Sequence, residues 1–137
     1  MSIYLGIDIG QRRTGFALGE RDLSFVQPLR VYEHANEAGM LEAVDQVIAE
    51  QGPDALVVGF PLNMDDTEGP AAKEARRLAK VLGERTGLAV HLQDERLTSF
   101  EADGRMARSG RTHAGKKRIR DAIAAAALLE DYFSSDA

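Results

Sequence analysis

The 137-residue chain has no cysteine, and none of its hydrophobic runs is longer than eight residues. Without cysteine there is no disulfide framework, no thiolate nucleophile and no sulfur-ligated metal. Any metal chemistry is left to oxygen or histidine donors. The longest apolar stretch, Ala122 to Leu129, opens on small alanines and is too short to cross a bilayer. The first residues carry no signal-peptide pattern, so the expectation is a cytoplasmic chain with no membrane partner. Its length and 44% hydrophobic content suit one compact core and not two. A single domain spanning 1–137 is expected.

Positive charge is also scarce, at a net charge of -5, which argues against a nucleic-acid partner until its distribution is considered. Residues 105 to 120, "RMARSGRTHAGKKRIR", hold Arg105, Arg108, Arg111, Lys116, Lys117, Arg118 and Arg120 and no acid. The segment is therefore +7 and the remainder -12. A solvated loop would explain this, and so would a phosphate-gripping segment beside an acidic site.

Along the chain, Ile3, Leu5, Ile7 and Ile9 alternate with Tyr4, Gly6, Asp8 and Gly10, which is strand spacing. A hairpin turn is expected over Gln11 to Gly15, then strands near Phe16 to Gly19 and Ser24 to Val31. Met40, Leu41, Val44, Val47 and Ile48 repeat with helical spacing, and the continuous run "ALVVGF" reads as a central parallel strand. Pro70 opens a helix with a stripe of Ala71, Ala75, Leu78 and Leu82. "LAVHLQDE" is a fifth strand, Thr98 and Glu101 have capping-box spacing for a helix to about Ser109, and a last helix runs through Phe133. This order predicts an α/β domain with a mixed five-stranded sheet, an antiparallel meander joined to parallel strands, flanked by helices.

Three acids are candidates for chemistry. Asp8 interrupts an apolar strand, where a carboxylate is costly to bury unless it lies at the open end or meets a cation. It either holds the amides of the turn or serves a site. Glu95 ends the fifth strand, and ligands in open α/β sheets gather beyond the carboxyl ends of parallel strands. Asp121 shares a helical face with Ala125, Leu128 and Tyr132, so it begins the stripe that packs on the sheet. Ala124 to Ala127 and Gly6 leave little side chain between this helix and the first strand, which would let the helix deliver Asp121 to Asp8. Three carboxylates without cysteine suit Mg²⁺ or Mn²⁺ and not zinc. Two such ions about 4 Å apart can activate water and stabilise the leaving oxygen of a phosphodiester.

Other polar residues have both a structural and a substrate-binding reading. Asn63, Asp65 and Thr67 lie in the loop "PLNMDDTEGP", where such residues commonly satisfy backbone amides. Thr98 caps a helix or orients a ligand. Arg12 and Arg13 are solvated turn residues or phosphate contacts, and Arg111, Lys116, Lys117 and Arg118 belong to the basic strip. His34, His91 and His113 share no ligand spacing; only His113 is a candidate proton donor.

Taken together, "GIDIGQRRTGFAL", "VVGFPLNMDDTEGP", "HLQDERLTSFEA" and "KKRIRDAIAAAALLEDYF" resemble the YqgF or RuvX family over nearly the whole chain. The resemblance implies a ribonuclease H-like fold, similar to RuvC-type Holliday junction resolvases, with an acidic site at Asp8, Glu95 and Asp121. It implies processing of the 5′ end of pre-16S ribosomal RNA, with structured RNA and ribosomal precursor particles as partners. Resolution of branched DNA is the alternative, and single-stranded DNA is a further candidate substrate. Symmetric cutting of a four-way junction would need a homodimer, whereas RNA processing is open to a monomer. Two departures stand out: Phe60 where leucine is usual and Asp66 where glycine is common. Other readings are a non-catalytic RNA-binding module and an actin-like nucleotide-binding domain, for which "GIDIGQRRTG" is similar to a phosphate loop. The single lobe and the three acids argue against both.

Overall fold

In the computed structural model the described residues are 2–95 and 113–135, with backbone only for 113–118. Five strands, β1 (Ile3–Ile9), β2 (Arg13–Glu20), β3 (Phe25–Glu33), β4 (Ala55–Phe60) and β5 (Ala89–Asp94), form one sheet in the order β3-β2-β1-β4-β5. β1, β2 and β3 are an antiparallel meander, and β1, β4 and β5 run parallel. The expected mixed sheet is present, with "ALVVGF" fully buried between β1 and β5. Helices α1 (Glu37–Gln51), α2 (Pro70–Thr86) and α3 (His113–Ser135) complete the described elements.

Pairing shifts several boundaries from their expected places. β2 begins at Arg13 and not near Phe16, because Thr14 and Gly15 pair with Ile9 and Asp8. The turn shrinks to a short loop in which the Gly10 amide donates to the Arg13 carbonyl at 2.8 Å. β3 runs on to Glu33 and contains Pro28, which an edge strand tolerates because one side of it has no ladder to lose. The pairing with β2 is irregular at this point, between Phe16 and Ala17. The expected helix from Thr98 to Ser109 lies outside the described residues.

The caps account for where the helices start and stop. Asn36 Oδ1 accepts from the Gly39 amide at 2.9 Å to open α1, and Gly52, at φ 60°, closes it in the left-handed region that glycine enters freely. Pro70 opens α2 and Gly87 ends it. On α2 the buried residues are Ala72, Leu78, Ala79 and Leu82. The expected stripe is thus rotated: Ala71 and Ala75 face a cleft instead.

The two faces of the sheet differ in side-chain size. Leu5, Ile7, Phe16, Leu56 and Val58 pack with Met40, Val44, Val47, Leu78 and Leu82 under α1 and α2. Burying each large side chain contributes roughly 1.5–3 kcal/mol. The opposite face meets α3 through Ala17, Val57, Ala125, Ala126 and Leu129, with Tyr4, Tyr132 and Phe133 at the margin. A Cβ on Gly6 would stand 2.7 Å from the Ala125 carbonyl, and one on Gly19 would stand 2.9 Å from the Phe133 ring. Helix and sheet therefore touch nearly backbone to backbone.

Enlarging this contact should cost more than enlarging its border. Ala125→Leu is expected to destabilise the fold by about 1–3 kcal/mol through overpacking, and Ala124→Leu, at a half-buried position, by less. Urea denaturation of the two variants makes the comparison; equal costs would show that α3 can lift without penalty.

Candidate active site

Asp8 is the penultimate residue of β1, at the carboxyl end where the parallel strands open. Its neighbour across the β1–β2 ladder is Gly15. A Cβ on Gly15 would fall 2.1 Å from the carbonyl carbon and oxygen of Asp121, so α3 can lie beside Asp8 only because this residue is glycine. Asp121 is placed by the helix backbone itself. On the other side of β1, Ile7 pairs with Val58, which sets Gly59 level with Asp8. A Cβ on Gly59 would fall 2.1 Å from Glu95 Oε2. The Glu95 carboxylate thus fills the space that a β4 side chain would take, and its amide donates to the Phe60 carbonyl at 3.3 Å. Two glycines flank Asp8, and one acid stands over each.

The electrostatics follow from this crowding. Burial, then the charges of Glu95 and Asp121, push the Asp8 carboxyl up to about 7. Burial first and the Asp94 charge second also raise Glu95. Like charges taken out of water favour neutral forms or an added cation. One cation is already near, since Arg13 Nε lies 3.2 Å from Asp121 Oδ2.

Two adjoining clefts open here. An open cleft of about 1160 Å³ is lined by Asp8, Gln11, Arg12, Arg13, His34 and Asp121, among others. A second, of about 710 Å³, has Glu95 in its wall along with Gly59, Pro61 and the amino ends of α1 and α2. Gly10, Gln11 and His34 line both. Among the described residues no three His, Cys, Asp or Glu side chains are grouped closely enough to hold a metal ion together. The donor set nonetheless fits a hard divalent ion, because the three side chains offer only carboxylate oxygens and their repulsion is relieved by positive charge. Mg²⁺ is commonly bound through one or two carboxylates, with water and phosphate oxygens completing the shell.

The remaining predicted residues are distributed as follows. Arg12 and Arg13 line the Asp8 cleft. Asn63 Nδ2 donates to Thr67 Oγ1 at 3.0 Å, and Asp65 Oδ1 accepts from the Thr67 amide at 3.1 Å, so these side chains hold their own loop together. Asp66 sits there at φ 70°, the left-handed region where glycine is unstrained. Lys116, Lys117 and Arg118 lie in the first turns of α3, so this part of the basic strip is helical and not a loop. Thr98 and Arg111 are outside the described residues.

His34 escaped sequence reasoning. Its Nε2 shares a hydrogen bond of 2.8 Å with the hydroxyl of buried Thr14, and its buried Nδ1 has no hydrogen-bond partner among the described residues. No local pattern signals a contact twenty residues distant. Gly59 could have been found, as the one residue without a side chain in an otherwise apolar central strand.

The RuvX family model, described as Holliday junction resolvase, matches residues 2–135. A relative from Azotobacter vinelandii, named "Putative pre-16S rRNA nuclease", is 41% identical over 132 residues, 96% of this chain and 93% of its own length. One from Pseudomonas putida, with the same name, is 39% identical over 137 residues and covers 99% and 97%. Two solved structures share the fold at low identity. The fowlpox virus resolvase, in complex with Holliday junction DNA, has a TM-score of 0.60 at 12% identity, covering 97% of each chain. RuvC of T. thermophilus, in complex with a Holliday junction substrate, has a TM-score of 0.59 at 17% identity, covering 99% of this chain and 96% of that one. The architecture is the ribonuclease H-like one expected.

The raised Asp8 carboxyl has a consequence for stability. Asp8 loses its proton near 3.8 when unfolded and near 7 when folded. Between these values the folded state holds the extra proton, so stability declines as pH rises from about 4 to about 7. Asp8→Asn cannot ionise; it should match the parent near pH 4 and exceed it by about 4 kcal/mol at pH 8. Urea denaturation at both pH values, with chelator present, measures the difference. A constant difference between parent and variant would place Asp8 in the ordinary carboxylate range.

Proposed function

The chain belongs to the RuvX family, and we propose that it is a divalent-metal-dependent nuclease whose hydrolytic site is the Asp8, Glu95 and Asp121 trio. The observation that carries this reading is the convergence of three acids on one sheet end, made possible by glycines at 15 and 59. A fold spends that much backbone freedom and charge repulsion where a cation and a phosphodiester are to be handled together.

The three carboxylates would hold Mg²⁺ or Mn²⁺, which supplies Lewis acidity that makes water nucleophilic at neutral pH and offsets charge on the phosphate. The chain's own residues do the rest. Asp8, whose carboxyl burial and its acidic neighbours push up to about 7, is the group whose ionisation a bound cation would favour most. Glu95 and Asp121 stand on either side of it, fixed by a strand end and a helix. Arg12 and Arg13 line the same cleft, where guanidinium groups can bind phosphate oxygens. Lys116, Lys117 and Arg118 extend positive charge along the start of α3, and Thr98 and Arg111 belong to the segment joining β5 to that helix. Asn63 contributes by shaping the loop after β4.

The substrate is the 5′ end of the small-subunit ribosomal RNA precursor, a structured RNA met in the cytoplasm within ribosomal precursor particles. The names of the relatives about 40% identical to the chain support this choice. Junction resolution is the second reading, favoured by the description of the family model; it requires a two-fold dimer with two sites.

A cleavage panel with Mn²⁺ or Mg²⁺ separates these readings, using precursor ribosomal RNA, single-stranded RNA, single-stranded DNA and a four-way junction. Cleavage of the precursor is expected to stop on chelation and to fall by at least about 100-fold in Asp8→Asn, Glu95→Gln and Asp121→Asn, with RNA binding retained. A variant that still cuts at the parental rate is not part of the mechanism. Preferential, paired cuts in the junction would favour resolution instead.

Replacing Lys116, Lys117 and Arg118 by alanine should weaken RNA binding and reduce the slope of log K against log salt by about two, since fewer counterions are released. Fluorescence anisotropy across a salt series reads the slope; an unchanged value would mean the strip does not touch phosphate.

A further inference from the structure

We infer that Arg13 and the divalent ion compete for Asp121, so that occupation of the carboxylate site frees the Arg13 guanidinium to grip substrate phosphate. The inference rests on the reading of Asp8, Glu95 and Asp121 as metal-holding carboxylates and adds a way for substrate grip to follow metal occupancy.

Both ends of the ion pair are anchored by backbone. Arg13 opens β2; its carbonyl accepts from the Gly10 amide at 2.8 Å, and the preceding carbonyl, of Arg12, accepts from the His34 amide at 2.9 Å. Asp121 is set by the contact of its backbone with Gly15. Between these fixed points the side chains meet, Arg13 Nε to Asp121 Oδ2, at 3.2 Å. The two partners are unequally exposed: the arginine side chain is 45% accessible and the aspartate 24%. The cation is at the mouth and the carboxylate inside, an arrangement in which the pair is easily exchanged, because half-exposed ion pairs contribute little.

A dication drawn to the same carboxylate carries twice the charge and repels the guanidinium. Arginine cannot relieve that repulsion by losing a proton, so its side chain must swing away. The space open to it is the cleft it already lines with Asp8, Gln11 and Arg12. There its planar fork suits two oxygens of one phosphate. By linkage, a ligand that releases Arg13 strengthens phosphate binding, and phosphate strengthens metal binding to the same degree.

Mn²⁺ titration by calorimetry, without nucleic acid, tests the competition in the parent, Arg13→Gln, Arg13→Lys and Asp121→Asn. Arg13→Gln is expected to bind Mn²⁺ about three- to tenfold more tightly. Arg13→Lys keeps the charge and should stay within about twofold of the parent. Arg13→Met, which keeps the aliphatic stem, serves in place of Arg13→Gln if circular dichroism shows that variant unfolded. RNA affinity, read by anisotropy with and without Ca²⁺ on RNA verified intact, should gain more from the ion in the parent than in Arg13→Gln. If the parent takes up Mn²⁺, Asp121→Asn loses it and Arg13→Gln binds it equally or more weakly, the competition is overturned and the metal site stands. Absence of uptake by the parent overturns the metal reading and this inference with it.

Discussion

The close seating of α3 on β1 and β2 is the constraint on which the rest of the molecule depends. Side chains of ordinary size would hold a helix well away from a sheet. Here Gly6, Gly15 and Gly19 remove that spacer on the strands, and Ala122, Ala125 and Ala126 reduce it on the helix. Glycine within strands and a small-residue interface both weaken a fold, the former by roughly 0.5–1 kcal/mol each. The opposite face compensates with large, fully buried side chains such as Leu5, Ile7, Phe16 and Leu56. One side of the sheet supplies stability and the other supplies proximity.

Proximity is what creates the electrostatic character of the sheet's open end. Asp121 stands over Gly15 and Glu95 over Gly59, so that Asp8 between them is driven to about 7 by burial and by its neighbours. Such crowding destabilises the folded chain unless positive charge arrives. Arg13 supplies part of it from the start of β2, and in the proposed mechanism an oxygen-seeking dication would answer the remainder. In the proposed reading, function and instability share one physical origin, as expected where a site is arranged for chemistry.

Much of this was legible from residue order. Period-two alternation located β1 and left Asp8 as its one charged residue, an unbroken apolar run located the central parallel strand, and Pro70 with Gly87 bounded α2. The alanine run with Gly6 pointed to a close helix–strand contact. Less accessible were the ends of β2 and β3, because a strand stops where its partner stops pairing, and that partner is elsewhere in the chain. The helical end of the basic strip, from His113 on, was equally hidden, since like charges read as a loop until a packed helix extends through them. Asn63 and Asp65 illustrate a third limit: the same residue types bind substrate or close a loop, and here they bond to Thr67.

By itself, the sequence determined the fold class and the family and singled out three acids as candidates, because hydrophobic periodicity and motif spacing are local and written directly in residue order. Tertiary structure alone decided that Gly15 and Gly59 flank Asp8, that Arg13 reaches Asp121, and that His34 lies in the wall between two clefts. These relations join residues from separate strands and a helix. They exist only once sheet register and helix packing have been set, and no local pattern encodes a contact between backbones that lie far apart in the chain.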